Sequence, residues 1–305
     1  MKQNFAMLDY PSLAAVAAVV REGTFERAAA ALAITPSAVS QRVRGLEERL
    51  GAILIVRGQP CEPTELGRSL CAHLDRVRLL EHDLAPALGT LAAGTSERLT
   101  LPVAVNADSL ATWFPAAAAA FAQVADVSLD LALDDEAHTA RRLRSGEVLA
   151  VVTAEREPVQ GCRTTPLGAL RYAACASPEF AGRHFSRGVT TEALEQAPCL
   201  RFDRRDFLQA RWARAVLDVE LAGPVHWVPS THGFLDMTLV GLGWGMHPCV
   251  MVEDHIAAGR LVELAPAHRV DVPLYWTVTR LHAAALGQLT QAVRAAAGAV
   301  LVRGG

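Results

Sequence analysis

Ser37, Ser40, Gln41, Arg42 and Arg44 gather hydroxyl, amide and guanidinium groups in one stretch, TPSAVSQRVRGLEERLG. These groups can read base edges in a major groove and pair with phosphates. An arginine here can grip guanine with two parallel hydrogen bonds or neutralise a phosphate. The same polar set also suits an ordinary solvated helix face, so its setting decides. A second set is Asn106-Ala107-Asp108-Ser109, which follows a strand-like run and opens a helix-like one. Ser109 and the amides beside it suit an α-carboxylate. Asp108 suits an ammonium group, or simply caps the helix. Asp134, Asp135, Glu136 and His138 crowd together. They could recognise a cationic side chain, though a solvated acidic loop has the same composition. Thr153 closes another strand-like run. Asp203, within Phe202-Asp203-Arg204-Arg205-Asp206, and Ser230 and Thr231 precede helix-like runs. All four are candidate contacts for a small ligand.

Catalytic patterns are missing. There is no GxSxG or HExxH. The run Gly241-Leu242-Gly243-Trp244-Gly245 lacks the order and the lysine of a nucleotide loop, and reads as a tight turn. The ten histidines are scattered, and His232 reads as structural. Six cysteines (Cys61, Cys71, Cys162, Cys175, Cys199 and Cys249) show no CxxC or Cys/His ligand spacing. We expect free thiols, no metal and no cofactor. No nucleophile, base and oxyanion site assembles, so an enzyme is not expected.

The elements that position the first set are legible. Leu13, Val16, Ala17 and Val20 recur at helical spacing, with Asp9 or Tyr10 as cap, Pro11 in the first turn and Gly23 at the end. Thr24 caps a second helix carrying Phe25, Ala28, Ala29 and Leu32. Thr35 caps a third, which buries Val39, Val43, Leu46 and Leu50 and stops at Gly51. Ile53-Leu54-Ile55-Val56, the turn Arg57-Gly58-Gln59-Pro60 and Cys61-Glu62-Pro63 make a short hairpin. A hairpin directly after the third helix is the wing of a winged helix-turn-helix. Arg57 is then placed to touch the flanking DNA backbone. Thr64 caps a long helix whose Leu70, Leu74, Val77, Leu80, Leu84, Leu88 and Leu91 step by alternate threes and fours. That period marks a seam against another helix. At roughly 40 Å the helix is too long to bury its seam on the wing domain alone. Dimerisation is expected, with packing on the chain's own next domain as the alternative. Pro86 is expected to bend or end this helix.

After a linker at Gly94-Thr95-Ser96 the chain alternates strand-like and helix-like runs. Strands are expected at 99–105, 127–133, 148–153, 170–176, 199–202, 244–247 and 273–278. Helices are expected at 109–121, 138–144, 207–217, 233–240 and 283–300. Such alternation predicts α/β units with a mostly parallel sheet.

Residues 9–93 resemble the DNA-binding domain and linker helix of the LysR-type transcriptional regulators. The matching stretches are TFERAAAALAITPSAVSQRVRGLEERLG, ILIVRGQP and PTELGR. Within the family, DYPSLAAVAAVVREGTFERAA, IVRGQPC and VNADSLATWF resemble the ArgP/LysG branch, the regulators of basic-amino-acid export. The resemblance implies an α/β protein overall. A winged helix-turn-helix (7–63) and a linker and dimerisation helix (64–93) precede a periplasmic-binding-protein-like effector domain (97–305). That domain would have two subdomains, 97–166 with 271–305 and 167–270, crossing near 165–168 and 268–272. Thr35, Ser37, Ser40, Gln41, Arg42, Arg44 and Arg57 would bind operator DNA. Asp108, Ser109, Asp134, Thr153, Asp203, Ser230 and Thr231 would bind an effector, lysine or arginine, in a homodimer or homotetramer.

Length and composition agree with this reading. Two or three domains fit 305 residues, and the hydrophobic fraction of 51% is ample for their cores. A net charge of −3 neither demands nor excludes nucleic acid, so a DNA surface must be a local arrangement. No apolar run reaches the roughly 18 residues that span a bilayer, and the first residues lack a signal-peptide core. A cytoplasmic protein with no membrane partner is expected. A free-standing solute-binding protein and an enzyme using the α/β portion are the rivals from other classes. The winged motif counts against the first, and the lack of a catalytic constellation against the second.

Overall fold

A computed structural model describes residues 8–88, 99–134 and 139–303. Helices α1 (Tyr10–Glu22), α2 (Phe25–Ala31) and α3 (Pro36–Leu50) start where polar side chains replace missing backbone partners. Asp9 accepts from the Ser12 amide, Thr24 from Arg27 and Thr35 from Ala38. Gly23 and Gly51 close α1 and α3 in left-handed conformations. The three helices pool Leu13, Val16, Val19, Ala28, Val39, Val43 and Leu46 in one core. The wing is a minimal hairpin, β1 (Ile55–Val56) paired antiparallel with β2 (Glu62–Pro63). One Oε1 of Glu47, on α3, accepts from the amides of Leu54 and Ile55, which pins the wing to that helix.

Helix α4 (Glu65–Leu88) begins at Thr64, whose hydroxyl oxygen accepts from the Gly67 amide. Its seam divides. Leu70 and Leu74 join the DNA-binding core, whereas Leu80 and Leu84 are exposed. Leu79, which lies off the expected seam, is buried in the core of the following domain. Leu91 and the expected linker at Gly94-Thr95-Ser96 lie outside the described residues, as does the Leu88 side chain.

The rest of the chain opens with β3 (Thr100–Val105), α5 (Ala107–Ala111), α6 (Phe114–Ala122), β4 (Ser128–Leu133), α7 (Thr139–Ser145) and β5 (Ala150–Thr153). Strand β6 (Cys162–Ala176) then carries the chain across to a second lobe. There follow α8 (Pro178–His184), α9 (Thr191–Gln196), β7 (Cys199–Arg201), α10 (Leu208–Leu217), β8 (Val225–Trp227), α11 (Thr231–Leu239), β9 (Gly245–Pro248), α12 (Cys249–Ala257) and β10 (Val262–Glu263). Strand β11 (Val270–Thr279) returns to the first lobe, and α13 (Ala284–Val300) packs there against α6.

Two features depart from what the sequence predicts. The sheet is mixed rather than mostly parallel. β3 pairs parallel with β4 and β5, but β11 pairs antiparallel with β5 and β6, as do β9 and β10 with β6. The reason is the route of the chain: β6 leaves the first lobe and β11 comes back beside it, so the two run in opposite directions. The helix expected over 109–121 is two helices. Thr112 departs from helical backbone at φ −117, ψ −83, and Pro115 opens the second helix. The β6–β11 pairing runs from Cys162↔Thr279 to Tyr172↔Val270, with a register shift at Leu274/Tyr275.

Candidate nucleic-acid interface and effector cleft

On α3 the buried stripe of Val39, Val43 and Leu46 faces the core, which turns Ser37, Gln41 and Arg44 outward. These three stand four and three residues apart and share one face with the half-buried Ser40. Arg42 is not brought onto that face. Helical periodicity sets it roughly 100° round from Gln41, at the margin of the buried stripe, and it is half-buried. Arg42 therefore lies to the side of that face, and Arg44 lies on it. Thr35 is primarily a cap: its hydroxyl oxygen accepts from the Ala38 amide and also shares a hydrogen bond with Ser37 Oγ at 3.0 Å. Arg57 is exposed on the wing turn, with its guanidinium 5.2 Å from the centre of the Phe25 ring. That contact holds the wing cation beside α2. Asp9 pairs with Arg49 at the far end of α3. Burial opposes ionisation of Asp9, but hydrogen bonds from Arg49 and Ser12 outweigh it and lower the carboxyl to about 2.

The second site is a cavity of about 460 Å³ between the lobes. Asn106, Asp108 and Asp134 line it from the first lobe; Asp203, Arg205, Asp206, Arg211, Thr231 and His247 line it from the second. Asp108 is at its centre of bonding. Tyr172, on β6, donates its phenol to Asp108 Oδ2 at 2.6 Å. Thr231, at the start of α11, donates its hydroxyl to Oδ1 at 2.8 Å. One carboxylate thus ties α5 to a crossing strand and to the second lobe. Burial raises the Asp108 carboxyl above its usual value; these two hydrogen bonds oppose the shift, and the charge of Asp206 adds to it. Asp206 is itself held by the amides of Phe202 and Leu208 and by the Gln209 side chain. Asn106 Oδ1 is buried with no hydrogen-bond partner among the described residues. An unsatisfied acceptor of this kind invites an N–H donor from a ligand. His247 is pushed down to about 3 by burial, so it is neutral here, and its Nε2 is 2.9 Å from Thr238 Oγ1.

Four carboxylates and two guanidinium groups therefore line one cavity. That balance suits a ligand carrying two cationic groups and one carboxylate.

Of the sequence-predicted effector residues, Asp108, Asp134, Asp203 and Thr231 line the cavity. Ser109, Thr153 and Ser230 do not. Ser109 is fully buried, and its hydroxyl oxygen accepts from Trp113 Nε1 at 3.0 Å. Thr153 is 2% exposed, and its hydroxyl accepts from the Glu155 amide. Ser230 caps α11 by accepting from Gly233. The shared reason is local: a short hydroxyl side chain at an element's end satisfies nearby donors before it can reach a ligand. Asp135, Glu136 and His138 lie outside the described residues. Sequence reasoning missed Tyr172, Arg211 and His247. Asp206 had a signal in the charged run following β7, where Asp203 was chosen instead. Tyr172 had none, being one more apolar ring within a strand.

Among the described residues no helix is long and apolar enough to cross a membrane, and no group of three or more metal-ligating side chains gathers. All six cysteines are free.

A winged helix-turn-helix joined by a long helix to a two-lobed, cleft-bearing α/β domain defines a transcriptional regulator controlled by a small molecule. Residues 11–68 match the bacterial regulatory helix-turn-helix proteins of the lysR family, and residues 94–298 match the LysR substrate binding domain. The chain belongs to the LysR family of transcriptional regulators. It is 46% identical over 298 residues to the HTH-type transcriptional regulator ArgP of Pseudomonas aeruginosa strain UCBPP-PA14, covering 97% of this chain and 98% of that protein. It resembles the crystal structure of ArgP from Mycobacterium tuberculosis with a TM-score of 0.80 and 42% identity, over 98% of this chain and 100% of that one. Full-length LysG from Corynebacterium glutamicum, solved with bound effector Arg, matches with a TM-score of 0.68 and 36% identity, over 97% and 100% of the respective chains. This chain is accordingly a regulator that binds DNA and a small effector, and not an enzyme.

Proposed function

We propose that the effector is a basic amino acid, arginine or lysine, and that the regulated gene encodes an amino-acid exporter. The observation that carries the effector is the charge balance of the cleft, with Asp108, Asp134, Asp203 and Asp206 against Arg205 and Arg211. A guanidinium on the cavity wall takes the ligand's carboxylate. Asp108 and Asp206, which repel each other, take a cation between them. Asn106 Oδ1 accepts from an N–H of the same ligand. The arginine bound to the Corynebacterium glutamicum relative supports this choice, and the exporter follows from likeness to the ArgP and LysG proteins alone.

Three units carry out the work in this reading: a DNA-binding head over 7–63, a linker helix over 64–93 and an effector domain over 97–305. The head reads the operator with Ser37, Ser40, Gln41 and Arg44, while Arg42 and Arg57 flank the phosphates. Self-association runs through the exposed Leu80 and Leu84 of α4, giving a homodimer or homotetramer. The effector binds one arrangement of the two lobes better than another, as any ligand-driven switch requires.

Isothermal titration with arginine, lysine and a neutral analogue tests the effector. Heat from the two basic amino acids and none from the analogue is expected. Equal binding of all three contradicts the assignment. An unrelated effector for a different metabolic operon would then be the better reading.

A further inference from the structure

Among the described residues, helix α4 touches the first lobe of its own effector domain through Leu79, Asp83 and Arg76. Leu79 is buried in that domain's core. Asp83 Oδ2 accepts from the Ala284 amide, the first N–H of α13, at 2.8 Å. Arg76 lies against the turn after α7, where Gly146 has φ +78 and a Cβ would overlap its guanidinium. The absent side chain is what admits the arginine.

The opposite end of α7 is tied to the cleft. Thr139 donates its hydroxyl to Asp134 Oδ1 at 2.5 Å, and Asp134 lines the cavity. Arg142 donates to the carbonyl of Leu133, another lining residue, at 3.2 Å and pairs with Glu147 at 2.7 Å. One short helix thus spans from the cavity wall to the linker helix. Arg76 Nε is buried with no hydrogen-bond partner among the described residues. A buried donor without an acceptor is unfavourable, and a buried group of this kind calls for an explanation.

We propose that Arg76 is the positioning residue that couples the cleft to the DNA-binding head, with α7 as the moving part. A cation bound at Asp134 pulls on the start of α7. The turn at Gly146 moves under Arg76, and α4 carries the displacement to the head. Coupling needs a two-arrangement element that both sites bias; the turn under Arg76 is that element. The proposal rests on the cleft reading above.

The test uses full-length protein, arginine as the probe and operator DNA from the gene's own upstream region. Arg76→Ala is the first variant, and Arg76→Met, which keeps most of the side-chain volume, guards against collapse of the contact. Both should bind arginine and arginine-free operator within about twofold of the unaltered protein. The change in operator affinity or footprint that arginine causes, ordinarily about 5- to 150-fold for a coupled pair of sites, should fall to within about twofold of none. Unaltered coupling in both variants, with normal arginine heat, overturns the relay alone. Absence of arginine heat from the unaltered protein overturns instead the cleft reading beneath it.

Discussion

In the proposed function, Asp108 is the residue on which effector recognition turns. Its carboxyl is raised by burial and by Asp206. The folded protein therefore holds this proton more tightly than the unfolded chain does. The resulting stability is complete below the ordinary value of 3.8 and is lost as pH rises through the raised value. Burial and the charge of Asp206 thus work against an ionised Asp108 in the empty protein, and a bound cation would relieve it. Asp108→Asn should leave the unliganded thermal midpoint equal or higher, while calorimetry should show arginine affinity weakened by about 2 kcal/mol or more. Unchanged affinity would count against the role. On the DNA side, Gln41→Ala should cost about 1–3 kcal/mol and relax selectivity at one operator position. Arg57→Ala should weaken all sequences alike and reduce the salt dependence by about one unit of slope. Anisotropy titrations across ionic strengths separate the two. Asp108 was legible in the sequence because it follows a strand and opens a helix. Its partner Tyr172 was not, because their bond joins residues 64 positions apart, and nothing local announces it.

The head's elements were read closely because each carries its own punctuation: Asp9, Thr24 and Thr35 as caps, Gly23 and Gly51 as stops. The α/β portion was less legible. Strand β6 begins eight residues before the expected run at 170, since Arg163, Thr164, Thr165, Pro166 and Gly168 lack a strand's apolar alternation. What makes them a strand is the long pairing with β11, a tertiary fact. A Cβ on Gly67 would overlap the Leu54 carbonyl oxygen, so Gly67→Ala should push α4 off the wing. Denaturant unfolding should then register a loss of about 1–3 kcal/mol, and an unchanged midpoint would contradict it. Leu84 is 57% exposed on α4. Leu80→Glu with Leu84→Glu should therefore lower the assembly state seen by sedimentation velocity, while the effector domain keeps its arginine heat. An unaltered sedimentation coefficient would contradict self-association through this face of α4.

At the scale of the molecule, near-neutral net charge conceals a division of labour. Cations and polar groups face outward from α3 and the wing, while carboxylates line the interlobe cavity. The discontinuous first lobe, closed by β11 and α13 from the far end of the chain, was legible only through the family resemblance. Sequence periodicity finds strands but does not say which lobe they rejoin. In the proposed function, a cation in the acidic cleft changes how the head holds DNA. The most direct test footprints the protein on its operator while titrating arginine in parallel with citrulline, which has nearly the same shape without the side-chain charge. A footprint that changes with arginine and stays fixed with citrulline is the predicted result. Identical responses to both, or to neither, would contradict it.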